Sequence, residues 1–272
     1  MKIGTRGKSW LYIPLIALAI FYLLPMYVML VTGFKSFGEI NLQTMWALPK
    51  GIAFDNFREA YSKLAPSLRN SFVMVIPATL ISSMLGSLNG FILAKWKFRG
   101  ADIIFPFILF GMFIPYQSII IPLVQFMNAA GIKGLAGLVM AHVIYGIPIT
   151  TLTFRNYYAS LPHELLEAAK IDGADMLGVY RHILLPISIP SFVVVLIWQF
   201  TSAWNDFLFA VVLTGNNQWP ITVALNNMAG SQIIAWNVQM AGSLLAALPT
   251  LLVYVFLGRY FLRGLLAGSL KG

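Results

Sequence analysis

Few side chains in this sequence could do chemistry, and they are scattered. There is no cysteine, which removes thiolate nucleophiles, thiolate metal ligands and disulfides. No His-Glu-x-x-His pair and no Gly-x-Ser-x-Gly elbow occur, so neither a zinc hydrolase nor a serine hydrolase is indicated. Gly7-Lys8-Ser9 ends like a phosphate-binding loop, but the glycine required five residues earlier would fall at position 2, which is Lys2. We therefore expect no catalytic residue and no metal site. What remains is a set of polar groups inside apolar runs, Asn89, Gln117, His142, Asn205 and Asp206, and one long polar stretch, Ser160 to Ser191.

That stretch, SLPHELLEAAKIDGADMLGVYRHILLPISIPS, organises the second half of the chain. Ser160 is placed to cap a helix, Pro162 to sit in its first turn and Glu164 to meet the positive end of its dipole. Leu161, Leu165 and Ala168/Ala169 recur at helical spacing. Gly173 suits the left-handed residue that ends such a helix. Met176/Leu177, Tyr180 and Ile183/Leu184 mark one face of a second helix, with Pro186 expected to end it. The pair is too polar to span a bilayer. By periodicity alone it is either a docking element or an amphipathic pair lying on the membrane surface.

The flanking composition is that of a membrane protein. The chain has 272 residues, 59% hydrophobic and 10% charged, with a mean hydropathy of +0.80, against about 25% charged in ordinary soluble domains. We predict an all-α polytopic protein forming a single transmembrane domain over residues 1–272. Its six spans fall near residues 10–32, 70–94, 103–126, 135–154, 187–213 and 239–262, with the polar helix-elbow-helix loop at 160–186. The first apolar run is too long for a signal-peptide core, so it is read as a retained span. The net charge of +9 points here to orientation, not to nucleic acid. With the N-terminus inside, 12 of the 18 Lys and Arg residues fall on the cytoplasmic side. The positive-inside bias then puts both termini and the polar loop in the cytoplasm.

Within the spans, Gly86 and Gly90 form a small-xxx-small step that permits close helix approach. Asn89 between them reads as an interhelical hydrogen bond or a ligand. Pro106, Pro115 and Pro122 suggest a bent third span beside a cavity. His142 reads as a neutral buried histidine or a proton relay. Asp206, the one acid in a predicted span, reads as structural or as a substrate or gating group. Asn89, Gln117, Asn205 and Asp206 are the candidate translocation-pathway residues. The last loop, 214–238, has no charge but carries Asn216, Asn217, Gln218, Trp219, Gln232 and Trp236. Amides and aromatics suit sugar faces, a membrane interface or a protein partner. Residues 263–272 are too short for a domain and too glycine-rich for a stable helix of their own.

The polar loop also carries a resemblance. Glu167-Ala168-Ala169, three residues, Gly173, nine residues and Ile183-Leu184-Leu185-Pro186 resemble the EAA signature of the membrane subunits of binding-protein-dependent ABC importers. EAAKIDGA followed by ILLPISIPS is most similar to the carbohydrate-uptake branch, the maltose-type permeases. The tail GSLKG resembles that branch's terminal GAVKG, departing at Ser269 and Leu270. The resemblance implies an inner-membrane, multi-pass permease subunit that imports a sugar by alternating access. It assigns ATPase docking to Glu167, Ala168, Ala169, Ile171, Asp172, Gly173 and Ala174. It implies coupling through a C-terminal tail with Arg263, Lys271 and Gly272, against which stands a frayed terminus with Lys271 at the lipid headgroups, and contact with an extracytoplasmic sugar-binding protein through Asn216, Trp219 and Trp236. The other partners it implies are a second permease, two ATPase subunits and the bilayer. ATP and Mg would be bound by those ATPases, with no cofactor in this chain. Two alternatives stay open: an ABC permease for another solute, and a self-sufficient secondary carrier.

Overall fold

The computed structural model describes residues 12–96, 98–230 and 234–269. Among them the regular structure is helical, with no strand. In chain order the helices are α1 (Tyr12–Gly33), α2 (Asp55–Lys95), α3 (Ala101–Phe110), α4 (Tyr116–Ala129), α5 (Gly134–Ala159) and α6 (Glu164–Ile171). Then come α7 (Met176–Val179), α8 (Leu185–Ile187), α9 (Ile189–Trp204), α10 (Leu208–Leu213), α11 (Ile221–Ala229) and α12 (Trp236–Ser269). Four helices are long and apolar enough to cross a membrane: α1, α2, α5 and Trp236–Tyr260 of α12. Two bent pairs, Ala101–Phe113 with Tyr116–Ala129 at 101° and Met176–Ile187 with Ile189–Trp204 at 75°, bring the number to six if each counts as one span.

Several boundaries differ from the sequence reading. Helix α2 starts at Asp55, well before the expected span, because Asp55–Arg69 is helical but too polar to read as membrane. The third span is two helices, because Pro115 has no N–H and forces Ile114 out of the helical region, at ψ 114°. The expected span 187–213 breaks at Asn205–Phe207 into α9 and α10. The last loop contains a 3-10 turn (Asn216–Gln218) and α11. Among the described residues the C-terminal tail is no separate segment. Helix α12 runs on through Ser269, because a helix already nucleated upstream extends at little further cost.

The chain forms two compact units. One comprises the described residues up to Pro66 with Ala224–Leu248. Its hub is Asn56, whose Nδ2 donates to the carbonyls of Gly33 (2.9 Å) and Lys35 (2.8 Å) while its Oδ1 accepts from Asn237 Nδ2 (2.8 Å). Small residues pack beside it, Ala60 against Val238 and Ala241. The other unit comprises Ser67–Val223 with the remainder of α12. There α2 and α5 touch through backbone. A Cβ on Gly90 would lie 2.7 Å from Arg155 N, and one on Gly86 would collide with the Thr150 side chain. This is the close approach expected of the glycine step.

Candidate coupling site

The polar loop is built on the end of α5. Ser160 closes that helix, its Oγ donating to the Tyr157 carbonyl at 2.8 Å. It therefore does not cap α6, contrary to the sequence reading. Helix α5 extends past the expected Phe154 boundary, which makes Ser160 its C-cap. The chain then turns through Leu161-Pro162-His163, and the His163 carbonyl accepts from Leu166 N (2.9 Å) and Glu167 N (3.1 Å) to start α6.

Helix α6 has two faces. Leu166 and Ala169 point into a core, and Leu165, Glu167, Ala168 and Ile171 point out, with Ile171 86% exposed. Ala169 is only 4% exposed. It is thus not available on the docking face to which the resemblance assigned it. At the elbow Gly173 takes φ +81°, with open space around its Cβ position. Its requirement is backbone conformation, not room. Ala174 N donates back to the Ala169 carbonyl at 2.9 Å, the 6→1 bond of a Schellman C-cap. Ala169 and Ala174 both pack in the same core, as the hydrophobic contact of that motif requires. Asp172 is exposed. Asp175 then caps α7, its Oδ1 accepting from Gly178 N at 2.7 Å.

The second helix runs from Met176 to Ile187 through a π turn at Tyr180–Leu184. Pro186 does not end it. The break falls at Ser188, whose amide still reaches the Leu184 carbonyl at 3.0 Å. Leu177 stands out at 64% exposed.

Both helices of the loop rest on a core drawn from three spans. Phe91 of α2, Phe154 and Tyr158 of α5 and Val195 of α9 pack with Leu166, Ala169, Val179, Tyr180 and Leu184. Phe91 stacks on Tyr180 at 5.7 Å between centroids. A chain of buried hydroxyls crosses this core. Tyr180 Oη donates to Ser87 Oγ (3.0 Å), Ser87 pairs with Tyr158 Oη (2.7 Å), and Tyr158 donates to Ser188 Oγ (3.2 Å), which donates to the Leu185 carbonyl (2.9 Å). Because the Tyr158 proton goes to Ser188, Ser87 is the donor in the middle bond. Sequence reasoning missed this chain; its only sequence trace is polar residues recurring on otherwise apolar helices. A cavity of about 160 Å³ lies between the end of α2 and the elbow, lined by Phe91, Lys95, Trp96, Leu166, Asp175 and Val179 among others. Lys95 Nζ ties α2 to the start of the loop through the Leu161 carbonyl at 2.7 Å.

The candidate pathway residues occupy separate environments. Asn89 Nδ2 faces Thr151 Oγ1 of α5 at 3.5 Å. Gln117 is exposed in the first turn of α4. Asn205 is the exposed C-cap of α9. Asp206 caps α10, accepting from Ala210 N at 3.0 Å, and its Oδ2 lies 3.5 Å from His142 Nε2, both side chains nearly buried. That pairing of His142 with Asp206 was not visible in the sequence. Asn216 is exposed, and the Trp219 carbonyl accepts from Asn70 Nδ2 at 3.2 Å. Trp236, in the other unit, is exposed at the start of α12. Arg263 lies in α12, while Gln232, Lys271 and Gly272 fall outside the described residues.

Among the described residues the chain is all-helical, with up to six candidate membrane spans interrupted by an elbowed helix pair on a shared core. The chain belongs to the family of binding-protein-dependent transport system inner membrane components, which it matches over residues 86–266. It is 47% identical to a probable ABC transporter permease protein of Pyrococcus horikoshii over 275 residues, covering 100% of both chains. It is 37% identical to the xylose/arabinose import permease of Haloferax volcanii, covering 90% of this chain and 87% of that one. Its fold matches a chain of a bacterial ABC transporter involved in import of the acidic polysaccharide alginate. There the TM-score is 0.81 at 20% identity, covering 96% of this chain and 99% of that one.

Proposed function

We propose that this chain is the permease subunit of an ATP-driven importer that moves a sugar across the cytoplasmic membrane. The observation that carries the reading is the elbowed pair α6 and Met176–Ile187. It offers Leu165, Ile171 and Leu177 outward, over a core shared with the ends of α2, α5 and α9. Exposed aliphatic side chains on a rigid support suit insertion into a cleft of another subunit. A push on Ile171 would be carried to three spans together, as a two-state rocking mechanism requires.

In this reading the loop and both termini are cytoplasmic, in line with the charge census. Two separate ATPase subunits bind ATP and Mg and dock on Glu167, Ala168, Ile171, Asp172, Gly173 and Ala174. A second permease completes the pathway, and an extracytoplasmic binding protein meets Asn216, Trp219 and Trp236. The sugar class is supported by the pentose-import relative. The test is reconstitution of the permease pair with its ATPases and binding protein, followed by ATPase assays against a solute panel. Stimulation by a mono- or oligosaccharide is expected. Stimulation by peptides, polyamines or anions alone would remove the sugar assignment, and uptake without ATPase subunits would remove the importer.

A further inference from the structure

The segment between α1 and α2 is built inside out. Its apolar side chains point away from the chain: Leu42 is 87% exposed, Leu48 71%, Phe54 67% and Phe37 58%. Its one fully buried cation, Lys35, is turned inward, where Nζ donates to the carbonyls of Thr44 (2.7 Å) and Met45 (3.3 Å). The next carbonyl, that of Trp46, accepts from Tyr27 Oη at 2.9 Å. The Thr44 carbonyl also accepts from Ala47 N at 3.0 Å, and those of Met45 and Trp46 are met by the Lys35 and Tyr27 side chains. A loop in water has no need of such caps, because solvent supplies them; a loop at the edge of hydrocarbon does.

Tyr27 fixes the depth. It lies on α1 six residues before Gly33, so it sits about 9 Å below that end of the helix at 1.5 Å per residue. Nearly all of α1 from Tyr12 to Leu30 is exposed and apolar, as a lipid-facing span would be. The loop therefore folds back along α1 and does not project away from it. It is closed at its neck by Ala53 N to the Phe34 carbonyl (3.0 Å) and by Asn56. The Glu39 carboxylate pins its middle, accepting from Lys50 N (2.9 Å) and Ser36 Oγ (2.6 Å).

We propose that residues 37–54 form a rigid interfacial paddle that lies in the headgroup–acyl boundary of the bilayer at the Gly33 end of α1, with a lipid surface as its partner. Leu42, Leu48, Ile52 and Phe54 enter the acyl boundary, and Tyr27 and Trp46 mark the interface. The paddle anchors α1 against sliding along the membrane normal. That it lies in the outer leaflet rests on the cytoplasmic placement of the N-terminus; that it lies in lipid does not.

The chain has no cysteine, so L42C, L48C and, as an aqueous reference, K63C each carry one nitroxide at a defined site. The assembled complex in nanodiscs is measured for collision with oxygen and with a water-soluble nickel chelate. Positions 42 and 48 should collide several-fold more with oxygen than with nickel, and position 63 the reverse. Nickel access at 42 and 48 equal to that at 63 overturns the paddle. So does shielding from both reagents, or shielding that appears only when the binding protein is added, since each means a protein covers the surface. Leaflet is read separately with a membrane-impermeant thiol reagent on K63C in sealed vesicles. Labelling only from the cytoplasmic side overturns the outer-leaflet assignment.

Discussion

The hydroxyl chain beneath the elbow gives a prediction that rests on bond order alone. Tyr180 donates to Ser87, Ser87 to Tyr158, Tyr158 to Ser188. Tyr180→Phe removes only the terminal donor, and Ser87 keeps Tyr158. The stack of ring 180 on Phe91 is retained. The loss should be one net hydrogen bond, about 1 kcal/mol. Tyr158→Phe removes two bonds while keeping its ring against Phe154, and should cost about 2 kcal/mol. The double variant leaves Ser87 buried with neither partner, so its cost should exceed the sum of the singles by about 0.5–1 kcal/mol. Thermal unfolding of the complex in nanodiscs gives the ordering. Sugar transported per ATP hydrolysed gives the functional consequence, which should fall in the same order, because the chain joins the second coupling helix to α2 and α5. If Tyr158→Phe is no worse than Tyr180→Phe, and the double variant is additive with an unchanged transport ratio, the chain is packing and not coupling.

Three further outcomes are expected. Gly173→Val places a β-branched residue at φ +81°, at a cost of about 1–2 kcal/mol; the permease should still insert, and sugar-stimulated ATPase should fall, so normal stimulation would remove the elbow's role. Asp175→Ala deletes the cap on Gly178 N and should loosen the start of the second helix by about 1 kcal/mol, read as faster amide exchange over Met176–Val179. Glu39 is held below its ordinary value of 4.5, first by the Lys50 N–H and then by Ser36. Its contribution is present above that value and lost as pH falls through the lower, folded one. Protection of the 36–50 segment from proteolysis should therefore drop below about pH 4.5, and Glu39→Gln should abolish the pH dependence.

Much of the architecture was legible because lipid imposes long apolar runs. Helices α1, α5 and α12 were placed near their observed starts, and Gly173 was read as the elbow because few other residues take a left-handed backbone. The misses have local causes. Prolines are tolerated in membrane helices, so nothing in the pattern marked Pro115 as a break while Pro106 and Pro122 stay inside helices. The break at Asn205–Phe207 has no glycine or proline; its one trace was Asp206, an acid able to cap the next helix. Ala168 and Ala169 look alike in sequence, yet one is exposed and the other buried. Hydropathy does not resolve the faces of a two-turn helix. The Tyr180–Ser87 contact spans 93 residues, and no local pattern encodes such a meeting.

The π turn at Tyr180–Leu184 gives the coupling stretch a length as well as a composition. Leu185 N reaches back five residues to the Tyr180 carbonyl, so the helix holds one residue more than an α-helix would over the same advance. Removing one residue from the turn would close it to α geometry and leave the helix before it in phase with α9. The same deletion inside the regular helix Ile189–Trp204 would instead turn everything before it by about 100°, taking Leu177 off the exposed face and Val179 out of the core. Deleting Arg181 or His182, both exposed within the turn, should therefore spare transport, whereas deleting one residue of α9 should abolish it.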